Sequence, residues 1–264
     1  MKLGFIGCGN MAQAMIKGMI KNNLLEAKDI YASDAYRPML EKVHETLGIT
    51  IAESNTELAE NCDIIVLAVK PFLYAAVADE IKGILKPNQI IVTIAPGKTI
   101  EWVAEHFTKE TKIVRTMPNT PAMVGEGMTG ACHNDLVTKE EIDYICKLFR
   151  GFGRVEIVPE YLMDVVVAVS SSSPAYVFMF IEAMADAASA DGMPRAQAYQ
   201  FAAQAVLGSA KMILDTHKHP GELKDMVCSP GGTTLEAVRV LENHRLRSSV
   251  FEAMKACVAH ARKM

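Results

Sequence analysis

The sequence predicts an α/β protein whose first part is a doubly wound parallel sheet and whose second part is all helical. Three observations predict it. Short apolar strands alternate with helix-period segments from residue 2 to about residue 120. A glycine-rich turn sits directly after the first strand. Beyond about residue 160 only helical patterns remain. The division is placed between residues 159 and 160, giving a sheet-bearing part, 1–159, and a helical part, 160–264.

Taking the elements in order, KLGFIG (2–7) is a short apolar strand and MAQAMIKGMIKNN (11–23) has helical spacing. DIYASD (29–34) reads as a second strand. CDIIVLAVKP (62–71) and NQIIVTIAPG (88–97) hold almost uninterrupted β-branched runs, as strands buried on both faces do. TKIVRTMPNTP (111–121) is a strand running into a proline-broken loop. Strands separated by helices at this spacing pair in parallel through right-handed crossovers. In the second part, 174–192, 194–216, 228–242 and 246–264 read as helices. Pro174 and Pro194 stand where a first turn tolerates proline, and Gly192 where a C-cap favours glycine. Residues 175–181 are apolar on every side, so that helix needs partners all round. In a part this small, a second subunit is the favoured partner.

Composition narrows the function. The chain has 264 residues, 50% hydrophobic and 22% charged, which describes a folded soluble protein. A net charge of −4 argues against nucleic acid or an anionic membrane surface as the main partner. The six cysteines are scattered with no C-x-x-C pair, which disfavours a disulfide framework or a zinc site and fits the reducing cytosol. No secretory leader is read at the start, because Lys2 is followed at once by strand and glycine turn. The weakly polar stretch 165–181 is broken by four serines and a proline, and reads as buried soluble helices.

The turn GFIGCGNMAQA has Gly7, Gly9 and Ala12 in the G-x-G-x-x-A spacing, after a strand and opening a helix. Gly7 permits a tight turn, Gly9 lets the backbone approach a pyrophosphate, and Ala12 keeps the helix near the strand. The helix start at Asn10 and Met11 then offers free N–H groups to phosphate. At the end of the second strand, Asp34 argues for a free ribose hydroxyl and NADH, whereas Ser33 and Arg37 argue for the 2′-phosphate of NADPH. The reading adopted is NADPH, with Asp34 turned away, and NADH is the alternative. Asn55, Ala68, Val69, Lys70, Pro71, Met117, Pro118, Asn119 and Thr120 complete the candidate cofactor contacts. The segments AVKP (68–71) and MPNTP (117–121) lie at strand carboxyl ends, where ligands of this architecture bind. Lys70 is either a catalytic acid or a charge near phosphate or solvent, and the second reading is preferred.

CSPGGTTLEAVRVLE (228–242) puts a proline, two glycines and two threonines in front of a helix. Either it is an ordinary capped helix, or the bare backbone at Gly231 and Gly232 grips a small anion with help from Ser229, Thr233 and Thr234. The residues alone leave these readings level. His217 and His219 flank Lys218 without a nearby acidic or cysteine cluster, so no metal site is proposed.

With these motifs in place, the whole chain resembles the pyrroline-5-carboxylate reductases, above all the enterobacterial type. The likeness runs from GFIGCGNMAQA through AVKP, MPNTPA, SPAYVFMFIEAMADAA and GMPRAQAYQFAAQAV to HPGELKDMVCSPGGTTLEAVRVLE. It implies an N-terminal Rossmann domain and a helical C-terminal domain that interlocks into a homodimer, often five dimers to a decamer. It also implies reduction of 1-pyrroline-5-carboxylate to proline with NADPH or NADH. It tips 229–234 towards holding the substrate carboxylate, with Thr234 as hydrogen-bond partner of the imine nitrogen. Two places depart from the family pattern. Ser171 stands where a glycine is expected, and a modest defect follows if that position needs positive φ. Arg245 and Leu246 stand where a glycine and an aromatic are usual, and this is read as altering only a helix connection. The rival readings are a reductase of the same build acting on a keto acid or another imine, and a non-catalytic nucleotide sensor.

Overall fold

The structure, a computed structural model, describes residues 1–263. Its elements follow in chain order as β1 (Leu3–Ile6), α1 (Asn10–Lys21), β2 (Ile30–Ser33), α2 (Arg37–Leu47), β3 (Thr50–Ile51), α3 (Asn55–Asn61), β4 (Ile64–Leu67), α4 (Tyr74–Ile81), β5 (Ile90–Thr93) and α5 (Ile100–His106). Next come β6 (Lys112–Met117), β7 (Gly127–His133), α6 (Lys139–Phe149), β8 (Gly153–Ile157) and the short α7 (Met163–Val166). The last five are α8 (Ser173–Ala190), α9 (Arg195–Thr216), α10 (Pro220–Val227), α11 (Thr233–Asn243) and α12 (Leu246–Ala261).

The chain forms two compact units, one of Met1–Ser172 joined by the chain from Cys257 onward, the other Ser173–Ala256. The expected boundary at 159/160 precedes that cut because α7 and the π-helical turn Val167–Ser171 remain with the first unit.

The first unit is built on one sheet of order β3-β2-β1-β4-β5-β6-β7-β8. Pairing is parallel from β3 to β6, reverses between β6 and β7, and is parallel again between β7 and β8. The β-branched runs explain the centre: β4 and β5 are buried along their whole length. Helices on both faces complete two apolar layers, one including Phe5, Met15 and Phe149, the other Leu58, Tyr74 and Ile113. A capping box at Thr138 and Glu141 starts α6. Buried Arg115 on β6 bonds Glu160 at 3.0 Å, and Glu160 also accepts from the N–H of Ile100.

In the second unit α8 and α9 pack along each other. The side chains buried there are small, Ala185, Ala198 and Ala202 with Leu223, while Phe178, Phe201 and Phe251 are exposed. Gly192, at φ +98, ends α8, and Met193 N–H returns to Ala188 O at 3.0 Å. His217, at φ +55, ends α9, and the His219 ring accepts from Gly221 N–H at the start of α10, so both histidines act at helix ends. Among the described residues, the helical run Glu160–Ala190 is long and apolar enough to cross a membrane, with mean hydropathy 1.5. Four consecutive serines, Ser170 to Ser173, interrupt it.

Candidate functional site

The glycine turn after β1 has the form the spacing predicts. Gly7 has φ +95, and a Cβ there would lie 2.8 Å from the backbone of Ala68. Its N–H donates to Ser33 O at 2.8 Å, which ties the turn to the end of β2. Gly9 is the N-cap of α1 without a side-chain cap, and a Cβ there would meet no atom within 4 Å. The first-turn amides of α1 are therefore free beside an open surface, which suits a pyrophosphate. These residues fit a bound dinucleotide. Between the glycines, Cys8 N–H donates to Asp34 Oδ2 at 2.6 Å. The Cys8 thiol is fully buried, and burial, with help from the Asp34 charge, pushes its pKa up to about 11.

The turn opens onto a cleft of about 700 Å³. Of the residues named from sequence, Gly7, Gly9, Asn10, Met11, Ser33, Asn55, Ala68, Val69, Lys70 and Pro71 line it. The carboxyl ends of β4 and β5 form part of its wall, held in register by Tyr74. That buried hydroxyl donates to Leu67 O at 2.9 Å and meets Thr93 Oγ1 at 2.8 Å. Burial pushes the Tyr74 pKa up to about 12, so it stays a neutral donor.

Other named residues are placed elsewhere. Arg37 does not line the cleft; its guanidinium bonds Glu53 through two nitrogens, at 2.6 and 3.1 Å, and Glu41 at 3.0 Å. The bonds to Glu53, then Glu41, raise its pKa further, and Glu53 is held below the usual carboxylate range. Met117, Pro118, Asn119 and Thr120 lie outside the cleft lining as well. The Asn119 amide is fully committed: it donates to Ser170 O at 3.1 Å and Ser170 Oγ at 3.2 Å, and accepts from Met128 N–H at 2.8 Å. Asn119 thus clamps the MPNTP loop between β7 and the π-helical turn.

Two acidic residues enter the cleft that the sequence reading did not place there. Asp34, expected to turn away, lines it and accepts from the N–H groups of Cys8 and Tyr36. Glu80 reaches it from α4 and accepts from Asn55 Nδ2 at 2.7 Å. Nothing marks Glu80 in the sequence, since it belongs to no motif and an exposed helical glutamate is usual.

The second candidate site is the turn before α11. Gly231 has φ +69, and Gly232 is the N-cap, again without a side-chain cap. A Cβ on Gly232 would collide with Ser229 Oγ. Gly232 N–H, expected to face a ligand, donates instead to Ser229 O at 3.0 Å and closes the turn. The open donors are therefore the first helical amides, those of Thr233, Thr234 and Leu235. Thr234 is partly buried, and Ser229 and Thr233 are exposed.

The departures from the family pattern change places. Ser171 lies in the π-helical turn and is not among the residues of positive φ, but its buried hydroxyl has no hydrogen-bond partner. Arg245, read as a simple connection, has φ +58. The strain expected at Ser171 is at Arg245.

Comparison with known proteins agrees along the whole chain. Residues 160–264 match the family described as pyrroline-5-carboxylate reductase dimerisation, and residues 2–97 match the NADP oxidoreductase, coenzyme F420-dependent family. The chain is 52% identical over 266 residues to pyrroline-5-carboxylate reductase of Escherichia coli, covering 100% of this chain and 98% of the relative. A solved pyrroline-5-carboxylate reductase from Coxiella burnetii superposes with TM-score 0.93 at 35% identity, covering 99% of this chain and 97% of the other. The Plasmodium falciparum pyrroline carboxylate reductase solved with NADP bound gives TM-score 0.88 at 32% identity, with coverage of 99% and 97%. A nucleotide-type glycine turn, an uncapped glycine turn in a helical unit and this degree of identity lead to one conclusion: the chain belongs to the pyrroline-5-carboxylate reductase family.

Proposed function

We propose that this chain reduces 1-pyrroline-5-carboxylate to proline, with a reduced nicotinamide dinucleotide, NADPH or NADH, as the hydride donor. The observation that carries the reading is the cluster of open amides at the start of α11, exposed by Gly231 and Gly232 and left uncapped. The substrate is a five-membered cyclic imine with one carboxylate. Amide N–H groups of Thr233, Thr234 and Leu235 and the hydroxyls of Ser229 and Thr233 suit that carboxylate. Each hydrogen bond to a charged group contributes about 1.5–3 kcal/mol. Two such bonds supply most of a millimolar-class affinity, about 4 kcal/mol.

When bound, a reduced nicotinamide would supply a hydride to the imine carbon, with the imine nitrogen protonated beforehand or in the same step. The first-turn amides of α1 hold the pyrophosphate. Ala68 and the AVKP backbone, set by Tyr74, line the path of the dinucleotide. Thr234 donates to or orients the imine nitrogen; its high pKa makes it a poor general acid, so a protonated substrate or water provides the proton. Orientation is the main contribution of the protein, worth several kcal/mol.

The protein works as a homodimer through its helical unit, with a decamer of five dimers as the larger assembly, in the cytoplasm. A second copy then covers the apolar face of α8, in place of lipid.

The test is oxidation of NADPH and NADH at 340 nm with 1-pyrroline-5-carboxylate, beside ketopantoate as control. Thr234→Ala is expected to lower kcat/KM at least about tenfold, or about 1.4 kcal/mol, with the melting temperature unchanged. Unchanged kinetics in that variant remove Thr234 from the site, and activity on ketopantoate alone removes the assigned substrate.

A further inference from the structure

We propose that Glu80 sets the coenzyme selectivity of this chain by fixing the Asn55 amide so that the ribose end of the cleft presents acceptors and a negative charge. This rests on the reading that the cleft takes a dinucleotide. In that architecture the adenosine ribose lies against the end of the second strand, here Ser33.

The argument follows from donors and acceptors. An ionised carboxylate only accepts, so Asn55 must turn its NH2 towards Glu80, where Nδ2 to Oε2 is 2.7 Å. The carbonyl end of the same amide then faces Ser33, and Ser33 Oγ donates its only proton to Asn55 Oδ1 at 2.7 Å. Ser33 keeps its lone pairs alone for a ligand. A free 2′-hydroxyl can donate to them. A 2′-phosphate, itself an acceptor at neutral pH, cannot, and it meets the charge of Glu80 as well.

The cation that could offset this is held elsewhere. Arg37 is engaged by Glu53 and Glu41, outside the cleft lining. Among the described residues lining the cleft, the ionised side chains are Asp34, Glu80 and Lys70. Asp34 accepts from two backbone N–H groups and keeps its negative charge at the β2 end, where it adds to that of Glu80, and Lys70 follows β4, away from that end. A 2′-phosphate meets the charges of both Asp34 and Glu80, and Glu80 is the one whose hydrogen bond decides what Asn55 and Ser33 can offer. Without the Glu80 charge the Asn55 amide is free to turn its NH2 towards phosphate.

The test is direct binding of NADPH and NADH by calorimetry, without imine, to the parent chain and to Glu80→Gln. Glu80→Ala serves as second variant, because it cannot re-form the bond to Asn55. Both variants are expected to tighten NADPH at least about fivefold while NADH changes less than about twofold. An unchanged ratio of the two dissociation constants in both variants, or a shift towards NADH, overturns the proposal. If the parent binds neither dinucleotide, the proposed function falls and this inference with it.

Discussion

Phe5 in β1 and Phe178 in α8 are the same side chain in two opposite situations. Phe5 is 0% exposed, enclosed between the sheet and its helices, whereas Phe178 is 63% exposed on a helix with few polar residues. The difference extends to the units around them. In the first, large apolar residues are buried and strand backbone is paired. In the second, the buried residues of α8 and α9 are alanines, and the bulky ones face outward. An apolar surface of this kind on a soluble protein marks an interaction site. The first unit completes its core within one chain; the second presents half of a core.

That contrast can be broken by experiment. The largest effect is expected from Phe178→Glu, which places an ionised group on the face proposed to be covered by a second copy. It should cost about 3–5 kcal/mol of association, read as loss of the dimer in sedimentation velocity at micromolar protein. Ile65→Ala in fully buried β4 should cost about 3 kcal/mol of stability, independent of protein concentration. A dimer that survives Phe178→Glu would erase the distinction between the units. Next comes Ser171→Ala, which removes a buried hydroxyl that lacks a partner and is expected to raise stability by about 1 kcal/mol in denaturant titration. Ser171→Gly should gain less, because glycine in a helical turn costs about 0.5–1 kcal/mol relative to alanine. The smallest effect is expected at Arg245, where Arg245→Gly relieves a left-handed backbone and should stabilise by about 0.5 kcal/mol in the same titration.

The parts legible in the sequence were those with local causes. The β-branched runs gave β4 and β5, and the glycine spacing gave the turn into α1, because each needs only neighbouring residues to be recognised. Strand β7, GMTGACH, went unread since its glycines look like a loop. They are there for packing: a Cβ on Gly130 would lie 2.8 Å from Val166 Cγ1 in α7. The same limit applied at the sites. Nearby chemistry suggested Arg37 for phosphate, but Glu53, sixteen residues on, holds it. Asn119 looked like a ligand contact and is a clamp to Ser170, which only the folded chain brings within reach. Glu80 became visible only when α4 was seen beside Asn55 at the start of α3, which in turn meets Ser33.

Cys8 lies inside the glycine turn proposed to receive phosphate, a position where a reactive sulfur would expose the enzyme to oxidants and electrophiles. With no accessible surface and a titration point about four decades above neutrality, almost none of it is thiolate. The proposed phosphate turn therefore holds a sulfur that is shielded and protonated, with no reactive thiolate of its own.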